Sequence, residues 1–200
     1  MVSIEYRIEK HIKSKSRGVI MFPDDFSIFG TSESVRKSLQ RLVEKNIIRR
    51  IAKGIYVRPK ISKYIGEVLP TVEDIAIAIS RRDRIKIIPT GITALHSLGL
   101  STQVPLKLVY LTDGAPREIK IGKRSIKLKK TTPKNLLVKG KISGLVIQAL
   151  KEIGKEKLNQ TDENKIYNLL KNEDPKDLEH DIQIAPNWIR IILQRNLDHE

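Results

Sequence analysis

The sequence predicts an α+β fold: a small helix-and-hairpin domain, then a mixed α/β domain with C-terminal helices. Three observations carry this. Across residues 1–60, apolar side chains recur at helical spacing and then switch to strand-like runs around a Lys-Gly pair. Between residues 71 and 140, short helical patterns alternate with strand patterns. From Gly144 onward only the helical pattern persists.

Taken in order, Ser3 suits the cap of a helix in which Ile4, Ile8 and Ile12 fall on one face. That helix ends near Arg17-Gly18. In "VIMFPDDFSIFG", Pro23 suits a first helical position and Gly30 a stop. Thr31 or Ser32 then opens "TSESVRKSLQRLVEKN", whose Val35, Leu39, Leu42 and Val43 form an apolar stripe. After Asn46, "IIRRIAKGIYVRP" reads as two strands joined at Lys53-Gly54. Helix, helix, turn, helix, hairpin is the order of a winged helix-turn-helix, expected over residues 1–60. The polar residues 61–70 read as a linker, and residues 71–200 as the second domain.

In that domain Thr71 suits the cap of "VEDIAIAISRRD". "IKIIPT" reads as a strand, "TGITALHSLGL" as a short helix closed by Gly99, and "KLVYLTDG" as a buried strand. "REIKIGKRSIKLKKT" alternates with period two around Gly122-Lys123 and predicts a hairpin. Pro175 and Pro186 mark helix starts in the C-terminal region. Trp188, with Ile189, Ile191, Ile192 and Leu193, reads as a core anchor or as a partner face.

Hydrophobic residues make up 40% of the 200, enough for a core. There is no cysteine, which excludes disulfides, thiolate metal sites and thiol nucleophiles. No apolar signal core opens the chain, and no run approaches the roughly 18 apolar residues of a membrane span. The expectation is a cytoplasmic protein without membrane partners. The net charge is +15, which favours a polyanionic partner. Residues 1–60 carry +8 and residues 61–150 carry +10, whereas residues 151–200 carry −3.

The second helix of a helix-turn-helix pair enters the major groove, with its N-terminal residues near base edges. Here that helix would present Ser34, Lys37 and Arg41. Thr31 and Ser32 would take a phosphate at its N-terminus. Lys37 and Arg41 would donate to guanine or phosphate. Arg49, Arg50 and Lys53 of the hairpin would reach the backbone or the minor groove. Those eight residues are the candidate DNA-binding set, with double-stranded DNA as the partner. Glu33 departs from a purely basic face.

A second basic surface gathers Arg117, Lys120, Lys123, Arg124, Lys127, Lys129 and Lys130, with Lys134 beyond. It fits RNA, or equally a lysine-coated edge that discourages strand pairing. His96 sits among apolar neighbours and reads as a packed residue. His11, His180 and His199 lack metal-ligand spacing. Asp113, Glu118 and Lys120 form the residue set of a Mg²⁺-dependent nuclease, although Asp113-Gly114 also suits a turn. No metal or other cofactor and no catalytic set is expected in the principal reading.

Residues 88–137 hold "P-T-G" before a short helix, then "ALHSLGLSTQVP", "VYLTDG" and "R-x-I-x-I-G". Together with "RRIAKGIYVRP" upstream, these blocks resemble AbiEi-type antitoxins, in the branch known as DUF6088. The resemblance covers most of residues 1–140 and weakens in the C-terminal helices. It implies a type IV toxin-antitoxin role linked to abortive phage infection. Its N-terminal winged helix would bind promoter DNA and repress its own operon. Its C-terminal domain would counter a nucleotidyltransferase-like toxin without needing direct contact. The alternatives are the Mg²⁺-dependent nuclease and a transcription regulator without a toxin partner.

Overall fold

A computed structural model describes residues 2–197. They form a mixed α+β structure of two compact units. One runs to Ala78 and takes in Lys120–Gly122; the other holds Ile79–Ile119 and resumes at Lys123. The division falls within a helix, Val72–Asp83.

In the first unit, helix α1 (Ile4–Ser14) is capped by Ser3, whose hydroxyl accepts from Tyr6 N at 3.2 Å. Ile8 and Ile12 of its apolar face are fully buried. A two-residue strand, β1 (Ile20–Met21), leads to a 3-10 helix over Pro23–Phe29. The sequence does not show β1, because two residues have no period; pairing with Val57 and Tyr56 defines it. Helix α2 (Ser32–Glu44) starts on Thr31 and buries Val35, Leu39 and Leu42 against α1 and the 3-10 helix. Asn46 takes a φ of 57°, a left-handed turn that asparagine tolerates, and the chain then enters β2.

β2 (Arg49–Ala52) and β3 (Ile55–Val57) turn at Lys53-Gly54, where Gly54 has a φ of +72°. With β1 they form an antiparallel sheet in the order β1-β3-β2. Ile48, Met21 and Tyr56 close the core around Phe26. Residues 61–70, expected as a linker, instead carry most of a strand pair, β4 (Lys60–Ser62) with β5 (Gly66–Val68). Backbone pairing over three residues a side makes these strands, and so short a run leaves no apolar period to read. Helix α3 (Val72–Asp83) opens on the expected reciprocal cap: Asp74 N donates to Thr71 Oγ1 at 3.1 Å, and Thr71 N to Asp74 Oδ2 at 3.0 Å.

Strands β6 (Ile87–Pro89), β7 (Lys107–Thr112), β8 (Arg117–Ile121) and β9 (Arg124–Lys130) form a sheet in the order β6-β7-β9-β8, all in the second unit except Lys120 and Ile121 at the end of β8. β7 pairs antiparallel with β6 and parallel with β9, so the hairpin strand β8 is an edge. Leu108, Tyr110, Ile126 and Leu128 lie on its buried face. Helices α4 (Ile92–Ser97), α5 (Lys141–Ile153), α6 (Gln160–Leu170), α7 (Pro175–Ile184) and α8 (Asn187–Leu197) share an apolar cluster centred on Val146, Leu150 and Ile189. Trp188 is half-buried against this cluster and Ile191 is exposed, so α8 faces both the core and the outside.

The start of α5 lacks a capping side chain of its own and borrows two. Asp181, fully buried, accepts from Lys139 N at 2.9 Å, Gly140 N at 3.0 Å and Ser143 Oγ at 2.7 Å. Glu173 accepts from Ile142 N at 2.6 Å and Ser143 N at 2.8 Å. Acceptors at a helix N-terminus satisfy donors the helix leaves open.

Candidate nucleic-acid interface

The N-terminus of α2 is built as its cap requires. Thr31 Oγ1 accepts from Ser34 N at 3.3 Å, and Ser34 Oγ donates to Thr31 O at 2.8 Å. Ser34 therefore turns its hydroxyl into the helix and is half-buried, whereas Ser32 stays exposed. Lys37 is exposed and lies 2.7 Å from Glu33, one turn earlier. Arg41 reaches Glu5 of α1 at 3.4 Å, and Lys45 reaches the same carboxylate at 2.5 Å. The hydrogen bond from Lys45 holds the Glu5 carboxyl below its ordinary range, and Glu5 raises the Lys45 ammonium in turn. Two cations share one carboxylate, so this cluster keeps positive charge.

The hairpin separates its cations by role. Arg49 forms a two-pronged pair with Glu67 of β5, Nε to Oε2 and Nη2 to Oε1 both at 2.9 Å, and also donates to Asn46 Oδ1 at 2.6 Å. Arg58 donates to Lys13 O at 2.9 Å and serves as a clamp on the end of α1. Arg50 and Lys53 are exposed and have no acidic partner among the described residues. Arg36, absent from the candidate set, is exposed on α2 in the same way. Its signal was there, since it stands four residues after Ser32, but it lies off the Ser34, Lys37, Arg41 row. The partners Glu5 and Glu67 carried no sequence signal, because folding alone brings them to Arg41 and Arg49. In the same unit the β4–β5 turn leaves Tyr64 95% exposed beside Lys63.

Exposed ion pairs contribute about 0.2–1 kcal/mol each. A phosphate that brings its own charge competes easily for Lys37. The fork of Arg49 on Glu67 is the better-formed pair and yields less readily.

Along β8 and β9, two of the seven candidate cations are spent internally. Arg117 pairs with Asp83, which also meets Arg82 at 2.7 Å. Arg82 and then Arg117 hold the Asp83 carboxyl below its ordinary range. Arg124 donates to Pro105 O at 3.2 Å. Lys127 is half-buried near Glu118. Lys123, Lys129 and Lys130 are exposed, as is Lys120 on β8, and none of these four has an acidic partner among the described residues.

The carboxylates of the nuclease alternative have separate structural partners. Asp113 follows β7 and accepts from Lys86 N at 2.9 Å, as a turn residue does. Glu118 stands on β8, accepts from Ser125 Oγ at 2.8 Å and pairs with Lys107 at 3.2 Å. The Ser125 bond first, and Lys107 next, lower its carboxyl. Strand β9 lies between β7 and β8. Among the described residues no group of three or more His, Asp or Glu is placed to hold a metal. His96 is half-buried with its Nδ1 unpartnered, His180 Nδ1 lies 2.9 Å from Asp181, and the His11 ring lies tilted beside Phe29. His199 lies outside the described residues.

Fold and surface together define a basic α+β protein with its exposed cations on a helix, a strand turn and a second hairpin. The chain matches the model of a family described as a family of unknown function, DUF6088, over residues 7–178, and it belongs to that family. Among curated proteins, no sequence matches it. No described helix is long and apolar enough to cross a membrane.

Proposed function

We propose that the first unit is a winged helix-turn-helix that binds double-stranded DNA, and that the protein is an antitoxin-type transcriptional regulator of its own operon. The observation that carries this is the pair Arg50 on β2 and Lys53 at the β2–β3 turn. They are exposed cations on a short hairpin that follows a capped helix with Arg36, Lys37 and Arg41 on its outer surface. In this reading α2 enters the major groove and the turn tracks the backbone beside it. Arg36 and Lys37 stand nearest the bases, and Arg41 and Lys45 contribute a field that Glu5 halves. The protein acts in the cytoplasm and counters a nucleotidyltransferase-like toxin, by control of expression and without obligatory contact.

The test is a mobility-shift titration on DNA upstream of the chain's own gene, with random DNA as competitor, at two salt concentrations. Specific binding that persists at the higher salt is expected. Equal binding to both DNAs, or none, refutes the repressor. The four exposed lysines of the β8–β9 hairpin favour a second reading, RNA binding at that edge, which a matched RNA competitor in the same titration measures.

A further inference from the structure

A cavity of about 290 Å³ opens in the second unit between the second half of α5, the segment before that helix and the α7–α8 junction. Its apolar lining is Val138, Ile147, Ile184, Ala185 and Pro186. Its polar lining is Lys134, Asn135, Gln148 and Lys151. No carboxylate is among the lining residues, and neither lysine pairs with an acid among the described residues.

Hydrogen bonds engage part of the polar lining. Gln148 is 3% exposed. Its amide meets the Thr90 hydroxyl, with Oε1 accepting from Oγ1 at 3.2 Å, and Nε2 has no acceptor among the described residues. Asn135 Oδ1 is already taken by Lys151 Nζ at 3.3 Å, and its Nδ2 donates to Thr131 at 2.8 Å. The lining side chains thus offer a guest two ammonium groups and one amide N–H donor. Burial, and then the charge of Lys134, lower the Lys151 ammonium, as expected for a cation without a counter-charge. Lys134 and Lys151 are exposed residues, so their ammonium groups can be reached from solvent, and no lining carboxylate neutralises them.

We propose that this cavity binds a small organic anion, its phosphate or carboxylate held by Lys134, Lys151 and Gln148 Nε2 and its apolar or planar body against Ile184 and Pro186. The volume is near the lower end for pockets that take small ligands, about 300 Å³, and suits a body no larger than a mononucleotide. The site shares no residue with the DNA-binding set.

The experiment titrates AMP, UMP, benzoate and inorganic phosphate into the full chain. It is read by calorimetry and by the Gln148 side-chain amide resonance. An organic probe should shift that resonance and bind more tightly than inorganic phosphate, which lacks the body. AMP and UMP against benzoate separate a phosphate source from a carboxylate one. Lys151→Met should weaken binding about tenfold, the loss of one charge-assisted hydrogen bond. Lys123→Met, on the hairpin, should leave binding unchanged and so control for non-specific charge. Gln148→Glu, which places a carboxylate in the cavity, should abolish binding; a thermal melt confirms that it folds. The proposal fails if no probe moves the Gln148 resonance. It also fails if inorganic phosphate binds as well as the organic probes, or if both lysine variants weaken binding equally.

Discussion

Removing Arg50 and Lys53 together should change how DNA binding depends on salt more than it changes anything else. Both side chains are exposed and unpaired by acids among the described residues, so the double alanine variant should fold with stability within about 0.5 kcal/mol of the parent. Each phosphate contact contributes about 0.9 to the slope of log affinity against log salt, so losing two should flatten that slope by about 1.8. Over a fourfold rise in salt this amounts to about a tenfold smaller loss of affinity for the variant than for the parent. Arg49 supplies the internal contrast. Its fork on Glu67, with both bonds at 2.9 Å, already neutralises it, so Arg49→Ala should move the slope less than either neighbour. Glu67→Gln should release Arg49 and steepen the slope. The assay is fluorescence anisotropy on a labelled duplex across several salt concentrations. An unchanged slope in the folded Arg50→Ala, Lys53→Ala variant would refute the docking of this hairpin on the backbone.

Other consequences follow from packing and charge. Leu39 is fully buried between α1 and the 3-10 helix, so Leu39→Ala should cost about 2–5 kcal/mol in denaturant unfolding followed by a probe of the first unit. Asp181→Asn turns an acceptor with three donors in the α5 cap into a group that must present a hydrogen of its own. It should cost about 2–3 kcal/mol and lower the melting temperature of the second unit. Gly140→Ala should destabilise the same cap, because a Cβ there overlaps Ser143 Oγ and the Glu173 carboxylate. Glu5 gives a pH signature: its carboxyl is held low, so its pairing with Lys45 and Arg41 stabilises the fold above about pH 4.5 and is lost as pH falls through the lowered value. Acid titration of stability should show a shallower fall for Glu5→Gln, and an identical profile would refute the pairing.

Local chemistry was legible in the sequence. Ser3 and Thr71 cap the helices they were expected to cap, and of Thr31 and Ser32 it is Thr31 that caps α2, because a hydroxyl next to an apolar stripe finds its N–H partner within three residues. The Lys53-Gly54 and Gly122-Lys123 turns, the buried strand β7 and the α2 stripe follow from spacing alone. So does the placement of positive charge in the first three quarters of the chain. Tertiary structure decided what distant residues do to one another. Pairing made β1, β4 and β5 into strands, and inserted β9 between β7 and β8. Folding brought Glu67 to Arg49, Glu5 to Arg41, and Asp181 with Glu173 to the bare start of α5. A charge along the chain is only a charge. Whether it is a free cation, a clamp on a carbonyl or half of an ion pair depends on partners tens of residues away, and only the folded chain supplies them.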